Sequence, residues 1–429
     1  MHTYDFIGIG LGPFNLGLAC LTEPIDELDG LFLEAREAFD WHPGMMLPDA
    51  TLQVPFLADL VTMADPTSPY SFLAFLKATG RLYPFYIRES FYPLRAEYNQ
   101  YCQWASEQLA SVRFGQAVHS VEHDGEAYVV RTTGGESHRT RRLVLGTGTT
   151  PKVPEPCIGL DGPVLHSADY LGRKPELQRT GSITVVGSGQ SAAEVYADLL
   201  ADIEQHDYSL RWVTRSPRFF PMEYTKLTLE MTSPEYTRYF QSLPAETRGG
   251  LLRDQRGLYK GISSDTIDAI FDTLYAKQVA GGVPTTLLTC MELTSAAWDG
   301  SSYTLGLHHQ EQHEDIALET ESLVLATGYG ASVPAFLDPV RDRIRWDEQG
   351  SYAATETYDV DVHGGEIFVQ NGEEHTHGFV APDLGMGAYR SSVIIARMLG
   401  HEVYPVERRI AFQEFGAPER MRVGQAVVR

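Results

Sequence analysis

Short continuous apolar runs that end in glycines recur along this chain. The first run, Tyr4 to Ile7, leads through a glycine-rich segment into Phe14 to Leu21, an apolar stretch with the length of a helix. A continuous apolar run indicates a strand buried on both faces, and glycines allow the backbone to turn tightly between a strand and a helix. This segment therefore predicts a strand, a turn and a helix, in the order in which dinucleotide-binding folds begin.

The turn of this first unit carries the residues that a dinucleotide phosphate needs. Glycines let the backbone approach a pyrophosphate, and the free N–H groups at a helix start provide a positive dipole end. A second strand, Leu31 to Leu33, ends about 20 residues past the glycines at a carboxylate that can accept hydrogen bonds from ribose hydroxyls. The cofactor residues predicted in this unit are Gly8, Gly10, Gly12, Pro13 and Glu34.

The same pattern returns in the middle of the chain. The run Ile183 to Val186 leads into glycines and a helical stretch, and the next strand, Leu210 to Thr214, ends at Arg215 rather than at an acid. An arginine there can pair with a 2′-phosphate that a carboxylate would repel, which favours NADP over NAD. Arg218 is a second candidate for that phosphate. The cofactor residues predicted in this unit are Gly187, Gly189, Gln190, Ser191 and Arg215.

Each unit is followed downstream by a similar phrase, Leu143 to Gly148 after the first and Leu323 to Gly328 after the second. Both phrases indicate buried parallel strands that open into a turn of small residues near a nucleotide. Two such units in one chain imply two dinucleotides. An enzyme that holds both passes a hydride from a nicotinamide to a second redox carrier, and FAD at the N-terminal unit is the expected carrier.

A proline-punctuated segment between Arg215 and about Thr285 contains the helical spacing of Asp265 to Tyr275 and predicts a small, mostly helical insertion. Such an insertion either packs against its neighbour or shapes a substrate pocket. A late strand at Gly364 to Asn371 and a final helix at Tyr389 to Met398 return the chain to the first unit. The predicted fold class is α/β, with two Rossmann-like dinucleotide-binding domains, for FAD and NADP, and a small, mostly helical substrate domain. The predicted boundaries are 1–165 and 331–429 for the FAD domain, 166–215 and 286–330 for the NADP domain, and 216–285 for the substrate-binding insertion.

Composition narrows the partners and the compartment. The 429 residues carry 34 Lys and Arg against 57 Asp and Glu, a formal net charge of −23 that disfavours nucleic acid and anionic membranes. The four cysteines form no C-x-x-C pair, so we expect neither a metal site nor a dithiol redox centre, and a reducing cytoplasm fits them best. No apolar run approaches the roughly 20 residues of a membrane span, so no membrane insertion is expected.

The phrase ahead of the second unit points to oxygen chemistry. It reads L-D-G-P-V-L-H-S-A-D-Y from Leu160 to Tyr170 and resembles the F-x-G-x-x-x-H-S-x-x-Y fingerprint of class B flavin monooxygenases, with Leu160 in place of the phenylalanine. A two-nucleotide flavoprotein reduces a disulfide, passes electrons on or activates oxygen. The absence of a thiol pair after the first unit argues against disulfide reduction.

Further phrases narrow the resemblance. In their order along the chain they resemble the microbial N-hydroxylating monooxygenases of siderophore synthesis, which comprise lysine, ornithine and diamine N-monooxygenases. The resemblance covers nearly the whole chain, and the diamine monooxygenases of desferrioxamine-type pathways are the most similar. The phrases are Trp41 to Met45, Leu52-Gln53, Phe56 to Leu60, Asp65 to Leu73, Gly187 to Ala192, Ala326 to Tyr329 and Thr376 to Gly378.

The resemblance implies FAD, NADPH as hydride donor, O2, and conversion of a primary amine to a hydroxylamine by way of a C4a-hydroperoxyflavin. It also implies that Gln53, the one catalytic residue we predict, lies by the flavin ring. A free alkylamine has a pKa near ~10.4, so the pocket must help it lose a proton before its lone pair can react. The family commonly forms dimers or tetramers, so a homo-oligomer is expected. Within the matched phrases we also place Trp41, His42, Thr327 and Tyr329 at the cofactors.

Departures from the family pattern bear on the identity of the amine. Amino-acid hydroxylases of the family carry a lysine that grips the substrate carboxylate where this chain has Ala58. Their ornithine enzymes use a serine where this chain has Gly385, and the two asparagines of that site align with Leu229 and Leu258. A buried carboxylate that loses its ammonium partner is strongly destabilised. These four predicted substrate-binding residues favour an aliphatic diamine, cadaverine first and putrescine next, as precursor of a hydroxamate siderophore.

Three alternatives stay open. An L-lysine N6-monooxygenase could hold its carboxylate with another cation, and Lys77 and Lys260 are available. A class B oxygenase of ketones or sulfides is disfavoured because the phrases from Trp41 to Asp59 are those of the amine family. A non-catalytic nucleotide-binding protein would keep the fold without the chemistry. Hydroxylamine formation from L-lysine and from cadaverine separates the first alternative from the diamine hypothesis.

Overall fold

The computed structural model describes residues 2–418 and residue 421; Met1 and the end of the predicted FAD domain, residues 419, 420 and 422–429, lie outside the described residues. In chain order the strands β1 to β19 are Thr3–Tyr4, Phe6–Ile9, Gly30–Leu33, Val112–Arg113, Val118–His123, Tyr128–Thr132, Ser137–Thr140, Leu143–Leu145, Thr149–Pro151, Val164–His166, Ser182–Val186, Ser209–Val213, Thr285–Leu288, Met291–Trp298, Tyr303–His309, Glu314–Thr320, Ser322–Leu325, Tyr329–Ala331 and Ile367–Val369. The α-helices α1 to α12 are Pro13–Thr22, Phe72–Ala78, Leu82–Arg88, Arg95–Ser106, Tyr170–Leu177, Gln190–Asp202, Lys226–Leu229, Pro234–Ser242, Ala245–Asp254, Ser264–Val279, Glu374–His377 and Gly387–Leu399. Short 3-10 helices cover Pro43–Met45, Glu155–Cys157, Ser167–Asp169, Gln255–Leu258, Ala335–Arg343 and Leu384–Met386.

The first parallel sheet has five strands in the order β19, β8, β2, β3 and β4. Strand β2 lies at its centre, with Gly8 level with Val144 on one side and Phe32 on the other. Because side chains of a strand alternate between its two faces, Phe6 and Phe32 join the core under α1 and α12, whereas Ile7 joins the core under β5 and β6. The sheet is therefore covered by helices on one face and by antiparallel strands on the other.

The second parallel sheet repeats this arrangement with the strand order β10, β17, β11, β12 and β13. Ile183 and Trp212 face a core shared with α6, and Val213 and Leu323 face a core shared with β15. Strands β14 to β16 form an antiparallel meander over that second face. Two such units confirm the predicted α/β class with two Rossmann-like domains.

The helical segment between β12 and β13 is a long crossover, since these two strands are parallel neighbours. Its last helix, α10, packs against α6 and buries Ile270 in the core of the second sheet. Helices α8 and α9 lie instead against α11, and Tyr236 and Phe240 join Phe379 in a separate small core. The segment is helical as predicted, but its helices divide between two cores, and the three domain boundaries stay a prediction.

The late strand is shorter than its predicted range. Gly364 and Gly365 have φ values of +86° and +92°, and the Asp361 carboxylate accepts the backbone N–H groups of Glu366 at 2.6 Å and Ile367 at 2.9 Å. These bonds hold a turn, so extended backbone begins only at Ile367. The predicted final helix is present as α12 and is slightly longer at both ends.

Candidate active site

A cavity of about 1910 Å³ opens onto both glycine turns, the one after β2 and the one after β11. Its volume exceeds the roughly 1,000 Å³ at the upper end of pockets for one drug-sized ligand. It lies at the carboxyl ends of the central strands, where ligands of doubly wound sheets bind. All the predicted cofactor residues line this cavity except Gly8, which is buried within β2.

Gly10 and Gly12 serve different purposes in the first turn. Gly10 has a φ of +84°, and a Cβ there would lie 2.6 Å from the carbonyl oxygen of Gly146. At Gly12 a Cβ would meet nothing within 4 Å, so the space above it is open. Helix α1 begins at Pro13 without a side chain that caps its first N–H groups. The turn is a cradle with free backbone donors, which suits a pyrophosphate.

Gly8 and Glu34 hold the frame of this turn. A Cβ on Gly8 would run into the Phe32 ring of β3. The Glu34 carboxylate accepts the N–H of Leu11 at 2.7 Å and the N–H of Arg36 at 2.9 Å. Glu34 therefore fixes the loop while it lines the cavity, and its contact with a ribose stays a prediction.

Asn15 is a buried polar residue of α1 that the sequence analysis missed. Its Nδ2 donates to the carbonyl oxygen of Gly10 at 2.7 Å, and its Oδ1 accepts from Nε2 of Gln370 at 2.7 Å. Gln370 lines the cavity just after β19. The available signal was an amide inside an otherwise apolar helix start, because a buried amide needs partners.

The second turn is tied to the helical crossover. A Cβ on Gly187 would collide with the carbonyl oxygen of the residue after β17, and α6 begins after Gly189 without a side-chain cap. The Gln190 side-chain oxygen accepts the N–H of Ser263 at 2.8 Å, and its amide donates to Thr266 Oγ1 at 3.0 Å. A long polar side chain thus connects this turn to the start of α10. The residues of the turn that line the cavity are Gly187, Ser188, Gly189, Gln190 and Ser191.

The two candidate arginines for a 2′-phosphate occupy different places. Arg215 lies two residues after the end of β12, is exposed and lines the cavity. Arg218 is also exposed but lies outside the lining. The geometry is therefore consistent with Arg215 as the phosphate partner, a role that stays a prediction.

Three aromatic residues meet at the cavity between the units. The His42 ring centroid lies 4.9 Å from that of Trp41 and 5.5 Å from that of Tyr329. Burial, followed by the charges of Arg95 and Arg36, lowers the pKa of His42 to about 4. The imidazole is therefore neutral at neutral pH and offers one donor and one acceptor.

The last matched phrases pack around the same place. Thr327 Oγ1 donates to the carbonyl oxygen of Lys152 at 2.6 Å. His166 of the class B fingerprint ends β10, with Nε2 3.0 Å from the carbonyl oxygen of Gly328 and its ring centroid 5.1 Å from that of Tyr329. The fingerprint histidine thus supports the turn that carries Thr327 and Tyr329.

Two side-chain pairs join the units beside the cavity. Gln53 donates through Nε2 to Oε1 of Gln190 at 3.3 Å. Arg95 of α4 makes two hydrogen bonds to Glu194 of α6, at 2.9 and 2.8 Å, and both side chains are largely buried. Such a two-pronged pair fixes orientation as well as distance. Gln53 is held at the cavity between the two turns, and its catalytic role stays a prediction.

Asp59 gives the Phe-Leu-Ala-Asp-Leu phrase a structural role that the sequence analysis missed. Its buried carboxylate accepts from the N–H of Val61 at 3.0 Å, the N–H of Phe72 at 2.7 Å and Oγ1 of Thr62 at 2.7 Å. Burial raises the pKa of Asp59, while these bonds favour its charged form. The residue ties the loop after Ala58 to the start of α2.

The structure brings two of the four predicted substrate residues together. Ala58 is buried, and a Cβ on Gly385 would lie 3.8 Å from the Ala58 Cβ. Leu384, next to Gly385, lines the cavity. Leu229 is 48% exposed and Leu258 packs toward the small core around α8. None of the four predicted substrate residues is itself part of the cavity lining.

The helical crossover reaches the cavity through other residues. Leu252, Tyr259 and Lys260 line it, together with Glu374 of α11. The Tyr259 hydroxyl donates to the Glu374 carboxylate, and Lys260 Nζ lies 3.2 Å from the same carboxylate. Which residue of a short 3-10 turn faces a cavity depends on how that turn docks, so alignment alone did not find Tyr259.

The residues present fit two dinucleotides. The first turn is open above Gly12, and both helix starts carry uncapped N–H groups. Gln370 Oε1 is buried at the cavity lining without a partner among the described residues. Polar atoms of this kind are satisfied by a ligand or by water.

Other kinds of site are not found in the part of the chain that the structure describes. No group of three His, Cys, Asp or Glu side chains there could hold a metal ion. The four cysteines are buried and free. None of the described helices is long and apolar enough to cross a membrane.

Two parallel sheets that open through glycine turns onto one cavity define an oxidoreductase of the two-dinucleotide flavoprotein class. The sequence profile of the L-lysine 6-monooxygenase/L-ornithine 5-monooxygenase family matches residues 2–331. The chain belongs to this family. It is a flavin-dependent N-monooxygenase that uses FAD and NADPH, as the resemblance in sequence implied.

Individual relatives cover nearly the whole chain. Putrescine N-hydroxylase of Shewanella oneidensis is 50% identical over 419 residues, which are 96% of this chain and 84% of that protein. The FAD-bound structure of the cadaverine monooxygenase of desferrioxamine biosynthesis from Erwinia amylovora is 53% identical, with a TM-score of 0.96, and covers 98% of this chain and 100% of that one. Ornithine N-hydroxylase of Kutzneria sp. 744, with reduced FAD, NADP+ and L-ornithine, is 27% identical, with a TM-score of 0.85, and covers 93% of this chain and 99% of that one.

Proposed function

We propose that the protein N-hydroxylates one primary amine of an aliphatic diamine, cadaverine in preference to putrescine, for a hydroxamate siderophore of the desferrioxamine type. The observation that carries this proposal is the contact between buried Ala58 and the half-buried Gly385. Neither side chain offers a charge or a hydrogen bond to a substrate carboxylate. The similarity to a putrescine N-hydroxylase and to a cadaverine monooxygenase supports a diamine as substrate class.

The available cations do not favour an amino acid. Lys260 lines the cavity, but its ammonium lies 3.2 Å from the Glu374 carboxylate. Lys77 is exposed on α2 and lies outside the lining. Arg95 lines the cavity but is bound in two places by Glu194. At Lys260 or Arg95 a substrate carboxylate would have to displace a partner, whereas Arg36, Lys152 and Arg215 also line the cavity outside any ion pair of the described residues. L-lysine N6-hydroxylation therefore stays the alternative, and the similarity to diamine hydroxylases makes it the weaker one.

The overall reaction that we propose balances without a protein nucleophile. The amine, O2, NADPH and a proton give the hydroxylamine, NADP+ and water, so that one oxygen atom forms the N–O bond and the other leaves as water. FAD, when bound, supplies the activation of O2 with electrons from NADPH.

The chain's own residues position the reactants and limit the access of water. The two glycine turns hold the dinucleotides, and the Gln53–Gln190 contact keeps an amide at the cavity between them. His42 is neutral at the cavity. Removal of the reacting amine from water penalises its ammonium form, which favours the unprotonated, reactive amine.

The test measures hydroxylamine formed per NADPH consumed, with FAD supplied, on cadaverine, putrescine, L-lysine and L-ornithine. We expect coupled turnover with the two diamines, a higher kcat/KM for cadaverine, and uncoupled or no turnover with the amino acids. Coupled turnover with L-lysine instead would overturn the diamine assignment and leave the N-monooxygenase chemistry in place.

A further inference from the structure

The turn that carries Gly385 also carries a carboxylate. Asp383 precedes the 3-10 helix Leu384–Met386, and its Oδ1 accepts the N–H of Gly385 at 2.7 Å. A Cβ on Gly385 would lie 3.1 Å from that oxygen and 3.8 Å from the Ala58 Cβ. The carboxylate and the Ala58 methyl group therefore border the same point in space. Asp383 itself is outside the cavity lining, but its two chain neighbours, Pro382 and Leu384, are part of it.

Asp383 has no counter-ion in the part of the chain that the structure describes, where no Lys, Arg or His nitrogen lies within 4.0 Å of its carboxylate. Arg390 is the cation whose charge acts on it, but that guanidinium is paired with buried Glu373 at 3.1 Å and donates to the carbonyl oxygen of Ala381 at 2.6 Å. The charges of Glu373 and Arg390 neutralise each other, so the negative charge of Asp383 has no cation of its own.

The surroundings of Asp383 penalise that charge. Burial raises the pKa of Asp383, and the N–H of Gly385 and the charge of Arg390 only partly oppose this. An ionised carboxylate in such a place gains when a cation binds beside it.

We infer that Asp383 is a specificity-determining residue that binds the distal ammonium of the diamine while the other amine reacts. This inference rests on the proposed function, because only a diamine brings a second cation and no carboxylate. Ala58 is small and uncharged, so it leaves room beside this turn, and the Asp383 carboxylate is the charged group that a substrate cation would meet there.

Glu374 is the rival carboxylate at the cavity. It already holds the Tyr259 hydroxyl and Lys260, so its charge is balanced before substrate binds. Glu374→Gln is therefore the matched control for Asp383→Asn, since both remove one negative charge near the cavity. Asparagine retains a side-chain oxygen for the N–H of Gly385, which preserves the cap of the 3-10 helix.

The experiment compares cadaverine with pentylamine, which has the same chain but no distal ammonium. We expect the wild-type enzyme to prefer cadaverine, and Asp383→Asn to reduce the ratio of the two kcat/KM values by about 10- to 100-fold, through a higher KM for cadaverine. Pentylamine turnover should stay the same, and Glu374→Gln should keep the wild-type ratio. Cadaverine should raise the Tm of the wild-type holoenzyme and not that of Asp383→Asn.

The outcomes separate the two proposals. No hydroxylated product from either diamine with the wild-type enzyme would overturn the proposed function itself. Diamine turnover with an unchanged cadaverine-to-pentylamine ratio in Asp383→Asn would overturn only the role of Asp383. Equal losses on both amines would likewise overturn it, since they would show that Asp383 acts only as a cap.

A second variant tests the same point without removing the carboxylate. Ala58→Lys introduces an ammonium beside Asp383. This ammonium should pair with the Asp383 carboxylate in place of the substrate and raise the KM for cadaverine by about tenfold or more. Pentylamine kinetics should change less. Unchanged cadaverine kinetics in Ala58→Lys would contradict the inference.

Discussion

The glycine turns after β2 and β11 share one sequence pattern but are held by different parts of the molecule. In the first, Asn15 and Gln370 form a buried chain of amides within the unit that is predicted to bind FAD. In the second, Gln190 reaches Ser263 at the start of α10 and Gln53 in the other unit. The first turn is thus set by its own sheet, whereas the second also depends on contacts between the units.

This difference shows what a repeated motif determines. The glycines and the helix start specify a dinucleotide in both turns, because backbone donors and close approach are local properties. The side chains that support each turn lie outside the shared motif. They determine whether the geometry of the turn depends on how the two units are positioned. We therefore expect damage at the first turn to act on FAD, and damage at the contact between the units to act on NADPH.

Gly10→Ala should have the largest effect. The new methyl group would meet the carbonyl oxygen of Gly146 in a backbone conformation that favours glycine, so we expect the free energy of unfolding to fall by more than about 3 kcal/mol and FAD to be lost. Gly12→Ala is the control, because it meets no protein atom and should weaken FAD binding with little change in stability. Denaturant unfolding and flavin absorbance measure both; equal destabilisation would contradict the distinction.

Glu194→Gln should come next, because it leaves Arg95 largely buried and without its charged partner. We expect a loss of about 3 kcal/mol in the free energy of unfolding and a higher KM for NADPH, with FAD retained. Glu176→Gln is the matched control, since its pair with Arg173 is much more exposed and should contribute under about 1 kcal/mol. If FAD retention changed more than the KM for NADPH, the contact between the units would not be what supports the second turn.

Asn15→Ala removes the link between the first turn and Gln370. It leaves the carbonyl oxygen of Gly10 and the amide of Gln370 without a partner, so we expect a loss of about 2 kcal/mol and faster release of FAD. Gln190→Ala should instead raise the KM for NADPH and spare FAD, as flavin release rates and steady-state kinetics would show. Equal changes in FAD release and in the KM for NADPH in the two variants would contradict the expected difference between the two turns.

The stability of the protein should depend on pH through His42. Its pKa is lowered to about 4, below the ordinary value. At mildly acidic pH, His42 is therefore protonated in the unfolded chain but remains neutral in the folded protein. The stabilisation is complete above about pH 6.5 and is lost as the pH falls toward 4, by about 3 kcal/mol for this group. His42→Gln should flatten the profile of unfolding free energy against pH in that window; an unchanged slope would exclude His42 as its source.

Arg215→Ala should have the smallest effect and act on one cofactor only. Loss of the 2′-phosphate partner should lower kcat/KM for NADPH about tenfold and leave that for NADH unchanged. Arg218→Ala, which changes an exposed arginine outside the cavity, should leave both values unchanged. A loss of kcat/KM for NADPH in Arg218→Ala but not in Arg215→Ala would identify Arg218 as the phosphate partner instead.

The fold was largely predictable because its signals are local. Buried parallel strands appear as short apolar runs, and the glycine turns follow them directly, so β2, β11 and the helices after them could be placed from the sequence. The late strand was overestimated because the Asp361 turn, a side-chain effect, shortens it at its start. The two cores shared by the helical crossover could not be foreseen, since amphipathic spacing does not say which neighbour a helix meets.

Residues of the candidate site were predictable where their role depends on neighbours in the sequence, and were missed where it depends on tertiary contacts. The amino-acid sequence by itself determined two dinucleotide turns, the family phrases and the absence of a lysine at Ala58, because strand, turn and helix signals depend on adjacent residues. The tertiary structure decided that Tyr259 rather than Leu258 reaches the cavity, that Asn15 meets Gln370, and that Asp383 lies beside Ala58. These contacts join residues far apart in the chain, and only the packing of whole sheets and helices against one another brings them within reach.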